Sequence, residues 1–209
     1  MSHILHNFGP RAVAAMTIQE IYQPLEELIV WSDGFTEEEV RDIISLGEMA
    51  EFQKGVVGSD SAPTTDLDVR DTDISWINPS EQSEWLYRRL QHIVSKINHD
   101  KYQFDLDTLD VLQYAKYKDD QFYNWHTDSG PSLSFHRKLS IVVGLSDPSE
   151  YEGGEFIINI GGNPETAQTI KLKPGIILVF PSWVPHKVNP VTSGERISLV
   201  TWVRGPKFK

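Results

Sequence analysis

Between residues 106 and 203 the chain breaks into short apolar stretches separated by glycine, proline and aspartate turns, and this pattern limits the fold more than any other feature. Residues 109–118, 139–145, 154–160, 169–173, 175–180, 186–191 and 196–203 are strand-length and rich in β-branched and aromatic side chains. Such a series is the sequence form of an antiparallel double sheet. Tyr151-Glu152-Gly153-Gly154 and Lys173-Pro174-Gly175 read as turns. Thr192-Ser193-Gly194-Glu195 reads as a hairpin loop joining strand 186–191 to strand 196–203.

Helices come first in the chain. After a short strand over 28–31, Asp33 to Thr36 followed by Glu37, Glu38 and Glu39 reads as an N-cap and an acidic first turn. The spacing predicts a helix over 37–53 that buries Val40, Ile43, Ile44 and Leu46. A second helix is expected from residue 80 or 82 to 97, with Trp85, Leu86, Leu90, Ile93, Val94 and Ile97 on one face. Residues 55–76 between them are too polar for core and long for a connector, which fits a lid or binding loop as well as a plain surface loop. Residues 1–15 show no sustained period and read as an extraneous leader or mobile arm, leaving 16–209 as one domain.

Charge and composition exclude several functions. Nineteen Lys and Arg stand against thirty Asp and Glu, and the formal charge of -11 opposes attraction to nucleic acid or anionic lipid. There is no cysteine, so metal ligands must be nitrogen and oxygen, and no disulfide framework is available. No apolar run approaches the roughly 18 to 20 residues that span a bilayer, and the N-terminus lacks a signal-peptide pattern, so the expectation is a cytoplasmic protein without a membrane partner.

His126 and Asp128 lie two apart, so on an extended strand both point to one side. Two imidazoles and one carboxylate can cap one face of Fe(II) and leave the opposite positions open, so a second histidine is needed. His186 supplies it at the start of a late strand, and Arg196 follows ten residues on. His136 sits beside Arg137 and Lys138 in an expected turn, and His92 and His99 fall in or just after the second helix; none of these is assigned as a ligand.

The His126-Thr127-Asp128 pair, the distant His186 and the following Arg196 resemble the 2-oxoglutarate and Fe(II)-dependent oxygenases. The resemblance covers roughly residues 109–204 and is nearest to the prolyl 4-hydroxylase-like branch, bacterial and viral types included. Tyr117, Tyr123, His126 and Asp128 meet that branch's spaced pattern, and residues 139–155 look like its strand, turn and glycine pair. Asp120 stands where a glycine is usual, which implies a differently shaped turn.

This resemblance implies an α+β fold with a double-stranded β-helix core, jelly-roll and cupin-like, carrying two or more N-terminal helices on one sheet. It implies Fe(II) held by His126, Asp128 and His186, with 2-oxoglutarate and O2 as cosubstrates and ascorbate as reductant. Arg196 would pair with the distal carboxylate of 2-oxoglutarate, assisted by Tyr117 and Ser198. Arg137, Tyr123 and Trp202 would face a proline-containing peptide or protein substrate, with Arg70 and Trp76 closing over it from segment 55–76. A free amino acid or other small molecule is the alternative substrate, and a metal-free jelly-roll binding module the non-enzymatic alternative. Trp202 stands where nucleic-acid demethylases of the superfamily carry a second arginine, and Asp128 is the carboxylate that halogenases lack, so both readings lose ground.

Overall fold

The computed structural model describes residues 30–59, 62–130, 132–161 and 164–207. The leader expected over 1–15 and the first half of the strand expected over 28–31 lie outside these residues. In chain order the elements are β1 (Val30–Asp33), α1 (Glu37–Glu48), β2 (Gln53–Lys54), β3 (Val57–Ser59), β4 (Ala62–Thr64), β5 (Arg70–Asp71), β6 (Asp73–Ile77) and α2 (Glu84–Ile97). A π-helical turn, Asn98–Tyr102, extends α2. Then follow β7 (Thr108–Leu109), β8 (Leu112–Tyr117), β9 (Phe122–His126), β10 (Arg137–Gly144), β11 (Tyr151–Gly153) and β12 (Phe156–Asn159). The chain closes with β13 (Ala167–Ile170), β14 (Ile176–Pro181), β15 (His186–Val188), β16 (Val191–Gly194) and β17 (Arg196–Arg204).

The strands form a major sheet in the order β1-β14-β10-β17-β8-β6-β2, with β7 also paired to β17, and a minor sheet in the order β13-β12-β15-β9-β5. Both are antiparallel throughout. Their facing surfaces enclose one apolar cluster, while the back of the major sheet carries the two helices over a second. This is the expected double-stranded β-helix with helices on one sheet.

Strand parity sorts the residues between these clusters. On β10, Leu139, Ile141 and Val143 face the helices, while Ser140 and Val142 turn inward. On β8, Leu112 and Tyr114 face the helices and Gln113, Ala115 and Tyr117 turn inward; on β17, Leu199 and Val203 oppose Arg196, Ser198, Val200 and Trp202. Both faces are covered, so these strands read as nearly continuous apolar runs, and the polar residues at inward positions stand out.

Helix α1 begins at the expected cap. Thr36 Oγ1 accepts from Glu39 N at 3.2 Å and Glu39 Oε2 accepts from Thr36 N at 2.9 Å, a reciprocal box worth about 0.5–2 kcal/mol. It ends at Glu48 rather than 53, because Glu48 accepts from Tyr114 Oη at 2.8 Å and Lys116 Nζ at 3.0 Å, and Gln53 and Lys54 are drawn into β2. Val40 and Ile43 are buried, whereas Ile44 and Leu46 only pack against the edge of the cluster.

Three other expectations change. Residues 55–76 are not one loop: β3 and β4 make a hairpin, while β5 and β6 join the two sheets, with Thr72, Ile74 and Ser75 fully buried. Trp76 therefore sits on a paired strand opposite Gln113, not on a lid. The chain from His186 to Arg196 is no simple hairpin, because β15 lies in the minor sheet and β17 in the major, and β16 pairs with β11 on the way across. Tyr151–Gly153 is accordingly a strand where the sequence reads as a turn.

Candidate metal centre

The last residue of β9, His126, pairs directly with the first of β15, His186. Asp128 lies beyond the strand, so its convergence with His126 is not the strand alternation expected from spacing. The chain bends after His126, and the amides of Asp128 and Ser129 both donate to the Ser182 carbonyl at 2.9 Å, fastening the bend to the end of β14. His126, Asp128 and His186 then offer one ligand atom each, all within 4.8 Å of one another. Nε2 of His126 is 3.7 Å and Nε2 of His186 3.4 Å from the Asp128 carboxylate.

Hydrogen bonds fix both tautomers. His126 Nδ1 is 2.8 Å from the Asn124 carbonyl and His186 Nδ1 is 3.0 Å from the Val184 carbonyl. A carbonyl only accepts, so each Nδ1 carries a proton, and each Nε2, on the side of Asp128, is the ring nitrogen left to face a metal. Burial, with His186 close by, lowers the His126 pKa to about 3, so the ring stays neutral. Burial alone would raise the Asp128 pKa, but the two neighbouring histidines and the Ser140 hydroxyl outweigh it and keep the carboxyl below its ordinary value. The donor set, two imidazole nitrogens and a carboxylate oxygen with ordered outer partners, fits Fe(II).

One cavity of about 480 Å³ contains all three. Along its inner wall, Arg196 is 4% exposed, with Nη1 donating to Ser198 Oγ at 3.2 Å and its guanidinium 5.4 Å from the Tyr117 ring. Tyr151 packs against the same guanidinium. Among the described residues no carboxylate pairs with Arg196, which leaves a buried cation in the same cavity as the His126, Asp128 and His186 cluster.

The other candidates line the same cavity. Tyr123 stacks on His126 at 3.5 Å between ring centroids and 12° between planes, and burial pushes its hydroxyl pKa up to about 12. The Arg137 guanidinium lies 3.8 Å from the Trp202 ring centroid, and Asp110 ties it to Arg204 through contacts of 3.3 and 2.5 Å. Arg70 stands opposite Tyr123 on β5, and Trp76 lines the cavity on the major-sheet side. His136, at the end of the short 3-10 turn that precedes β10, contacts the Gly205 carbonyl and takes no part in the cluster. Asp119 and Asp120, between β8 and β9, have φ of 49° and 66°, so the aspartate at the usual glycine position adopts the left-handed backbone that glycine favours.

Reading the sequence did not identify Ser140, Gln113 or Asp110. Ser140 donates to Asp128 Oδ2 at 2.6 Å and lies 3.0 Å from the Ser182 hydroxyl; Gln113 accepts from Arg70 at 2.7 Å. A hydroxyl and an amide inside the apolar runs of β10 and β8 were the available signals. Asp110, in a connector, gave none.

The 2OG-Fe(II) oxygenase superfamily profile matches residues 112–204. This stretch is similar to a PKHD-type hydroxylase of Crocosphaera subtropica, 38% identical over 95 residues that cover 44% of this chain and 41% of that protein. A PKHD-type hydroxylase of Synechococcus sp. is 41% identical over 81 residues, 39% of this chain and 36% of its own. The chain thus spans less than half the length of these relatives. In fold it is similar to a Pseudomonas putida prolyl-4-hydroxylase, TM-score 0.70 at 20% identity over 87% of this chain and 97% of the other. It is equally similar to a Trichoplax adhaerens prolyl hydroxylase in complex with a hypoxia inducible factor peptide, TM-score 0.70 at 16% identity over 96% and 94%.

Proposed function

We propose, from the match of residues 112–204 to the 2OG-Fe(II) oxygenases, that this chain is a 2-oxoglutarate- and Fe(II)-dependent dioxygenase that hydroxylates proline in a peptide or protein. The observation that carries the proposal is the His126, Asp128 and His186 cluster, with both Nε2 atoms free for a ligand, in one cavity with the acid-free Arg196. When bound, Fe(II), 2-oxoglutarate and O2 supply the oxidising chemistry: one oxygen atom enters the substrate C–H bond and the other enters succinate, with release of CO2.

The chain's own residues orient and protect that chemistry. The Asn124 and Val184 carbonyls hold the two imidazoles in their ligating tautomer, and Ser140 holds the Asp128 carboxylate. Arg196 receives the distal carboxylate of 2-oxoglutarate, with Ser198 and Tyr117 as neighbouring donors. Charge balance supports this role, since Fe(II) with Asp128 carries +1, the cosubstrate carries -2 and Arg196 returns the total to zero. Val142, Phe156, Val188 and Val200 give the cavity an apolar wall.

Toward the open side, Tyr123 and Trp202 give aromatic faces against which a flat apolar pyrrolidine ring packs with little entropy cost. Arg137, held by the Asp110 carboxylate that it shares with Arg204, donates to peptide carbonyls. The hairpin of β3 and β4, with Val56, Val57 and Pro63 on the cavity, replaces the longer lid as the segment that covers the substrate; Trp76 contributes from beneath. The test is to load the protein with Fe(II), supply 2-oxoglutarate, O2 and ascorbate, and offer proline-rich peptides. Succinate should form together with a one-oxygen gain on proline, and turnover of free amino acids alone would move the assignment to a small-molecule hydroxylase.

A further inference from the structure

Arg70 is 6% exposed and lines the cavity, yet all its partners are neutral. Nε is a long 3.5 Å from Thr72 Oγ1, Nη1 donates to the Val56 carbonyl at 3.2 Å, and Nη2 donates to Gln113 Oε1 at 2.7 Å. Among the described residues no carboxylate lies within ion-pair distance. A guanidinium has five N–H donors, so one on each terminal nitrogen remains unused. Burying such a cation without an anion is unfavourable, and its site therefore selects for an anion that arrives with a ligand.

The charge balance of the oxygenase reading, on which this inference rests, leaves that anion unsupplied. Fe(II), Asp128, 2-oxoglutarate and Arg196 already sum to zero, and the Asp110 carboxylate is taken up by Arg137 and Arg204. Arg70 is a surplus positive charge. Its place is close to the reacting position: the guanidinium lies 4.6 Å from the Tyr123 ring centroid, and the same ring stacks at 3.5 Å on His126. One aromatic ring separates the cation from a residue of the metal cluster, a distance that one or two residues of extended chain, ~3.5 Å each, can bridge.

We infer that the prime substrate bears a carboxylate within one or two residues of the hydroxylated carbon, and that Arg70 binds it. The carboxylate can belong to an acidic side chain, a chain terminus or a free amino acid, and the three share the planar two-oxygen geometry that a guanidinium matches. Gln113 and the Val56 carbonyl hold the fork in place by bridging from β5 to the major sheet and to the β3–β4 hairpin.

The test compares matched pairs: capped proline peptides followed by Glu or Gln, proline peptides ending in a free carboxylate or an amide, and L-proline against L-prolinamide. Turnover with Fe(II) and 2-oxoglutarate is measured for each, and so is binding by calorimetry without O2. At least one carboxylate member should be preferred by about ten- to a hundredfold. Arg70→Gln should remove that preference and Arg70→Lys should retain part of it. Equal handling of all three pairs by the wild-type protein overturns the inference whether or not the variants fold. A preference that survives in folded Arg70→Gln also overturns it. Binding preference with no succinate formed from any substrate overturns the oxygenase reading instead and leaves Arg70 as a carboxylate site.

Discussion

Removing the Ser140 hydroxyl isolates the support of the metal carboxylate from the carboxylate itself. In Ser140→Ala, Asp128 loses a 2.6 Å charge-assisted hydrogen bond, of a type worth about 1.5–3 kcal/mol. The Asp128 side chain is 8% exposed and Ser140 is fully buried, so water does not readily replace the lost donor. Alanine adds no atom, and β10 is held on both edges by β14 and β17, so the backbone has little reason to move. Part of the lost bond also stabilises the metal-free protein. The expected fall in Fe(II) affinity is therefore that of an outer-shell partner, about 10- to 100-fold, or about 1.4–2.8 kcal/mol. Anaerobic competition against a chromogenic chelator measures it, with the thermal midpoint as a check on folding. Ser182→Ala, whose hydroxyl reaches Asp128 only through Ser140, should lose less. Unchanged Fe(II) affinity in a folded Ser140→Ala would refute the claim that this hydroxyl orients a metal ligand.

Arg196→Ala should weaken 2-oxoglutarate about ten- to a hundredfold while Fe(II) still binds, as read by calorimetry with each ligand; unaltered cosubstrate affinity would place 2-oxoglutarate elsewhere. Asp110→Asn should leave Arg137 without its counter-ion and raise the peptide KM more than the 2-oxoglutarate KM, a split that steady-state kinetics resolves. The His126 pKa falls from about 6.5 in the unfolded chain to about 3 in the folded one, so between these values the unfolded chain holds the extra proton. Stability of the metal-free protein should then be complete above about pH 6.5 and decline by up to about 1.4 kcal/mol per unit below it, and His126→Gln should flatten that slope in denaturant titrations. Gly144→Ala places a Cβ 2.5 Å from the Lys173 carbonyl and should destabilise by about 1–3 kcal/mol, measurable as a lower melting temperature.

What the sequence revealed depended on how local the controlling interaction is. The capping box at Thr36 and Glu39 spans three residues, so the start of α1 was legible, while its end at Glu48 depends on Tyr114 and Lys116, more than 60 residues away. The cores of most strands could be read because each buries an apolar run, but β11 and β16, which pair at Tyr151 and Gly194, look like turns and exist only through each other. His126, Asp128, His186 and Arg196 were singled out by their spacing together with the family resemblance, whereas the bend that brings Asp128 to the histidines depends on Ser182. Segment 55–76 misled because its polarity suggests solvent. Its polar residues Arg70, Thr72 and Ser75 instead serve the cavity and the inter-element hydrogen bonds, functions that composition alone does not express.

A crystal structure of the protein with Mn(II) and 2-oxoglutarate, grown without O2, tests the central claim most directly. One anomalous peak should lie about 2.0–2.2 Å from His126 Nε2, His186 Nε2 and an Asp128 carboxylate oxygen, with the distal carboxylate of 2-oxoglutarate on Arg196 and Ser198. A metal bound away from these three side chains, or a cosubstrate whose distal carboxylate lies on another cation, would contradict it.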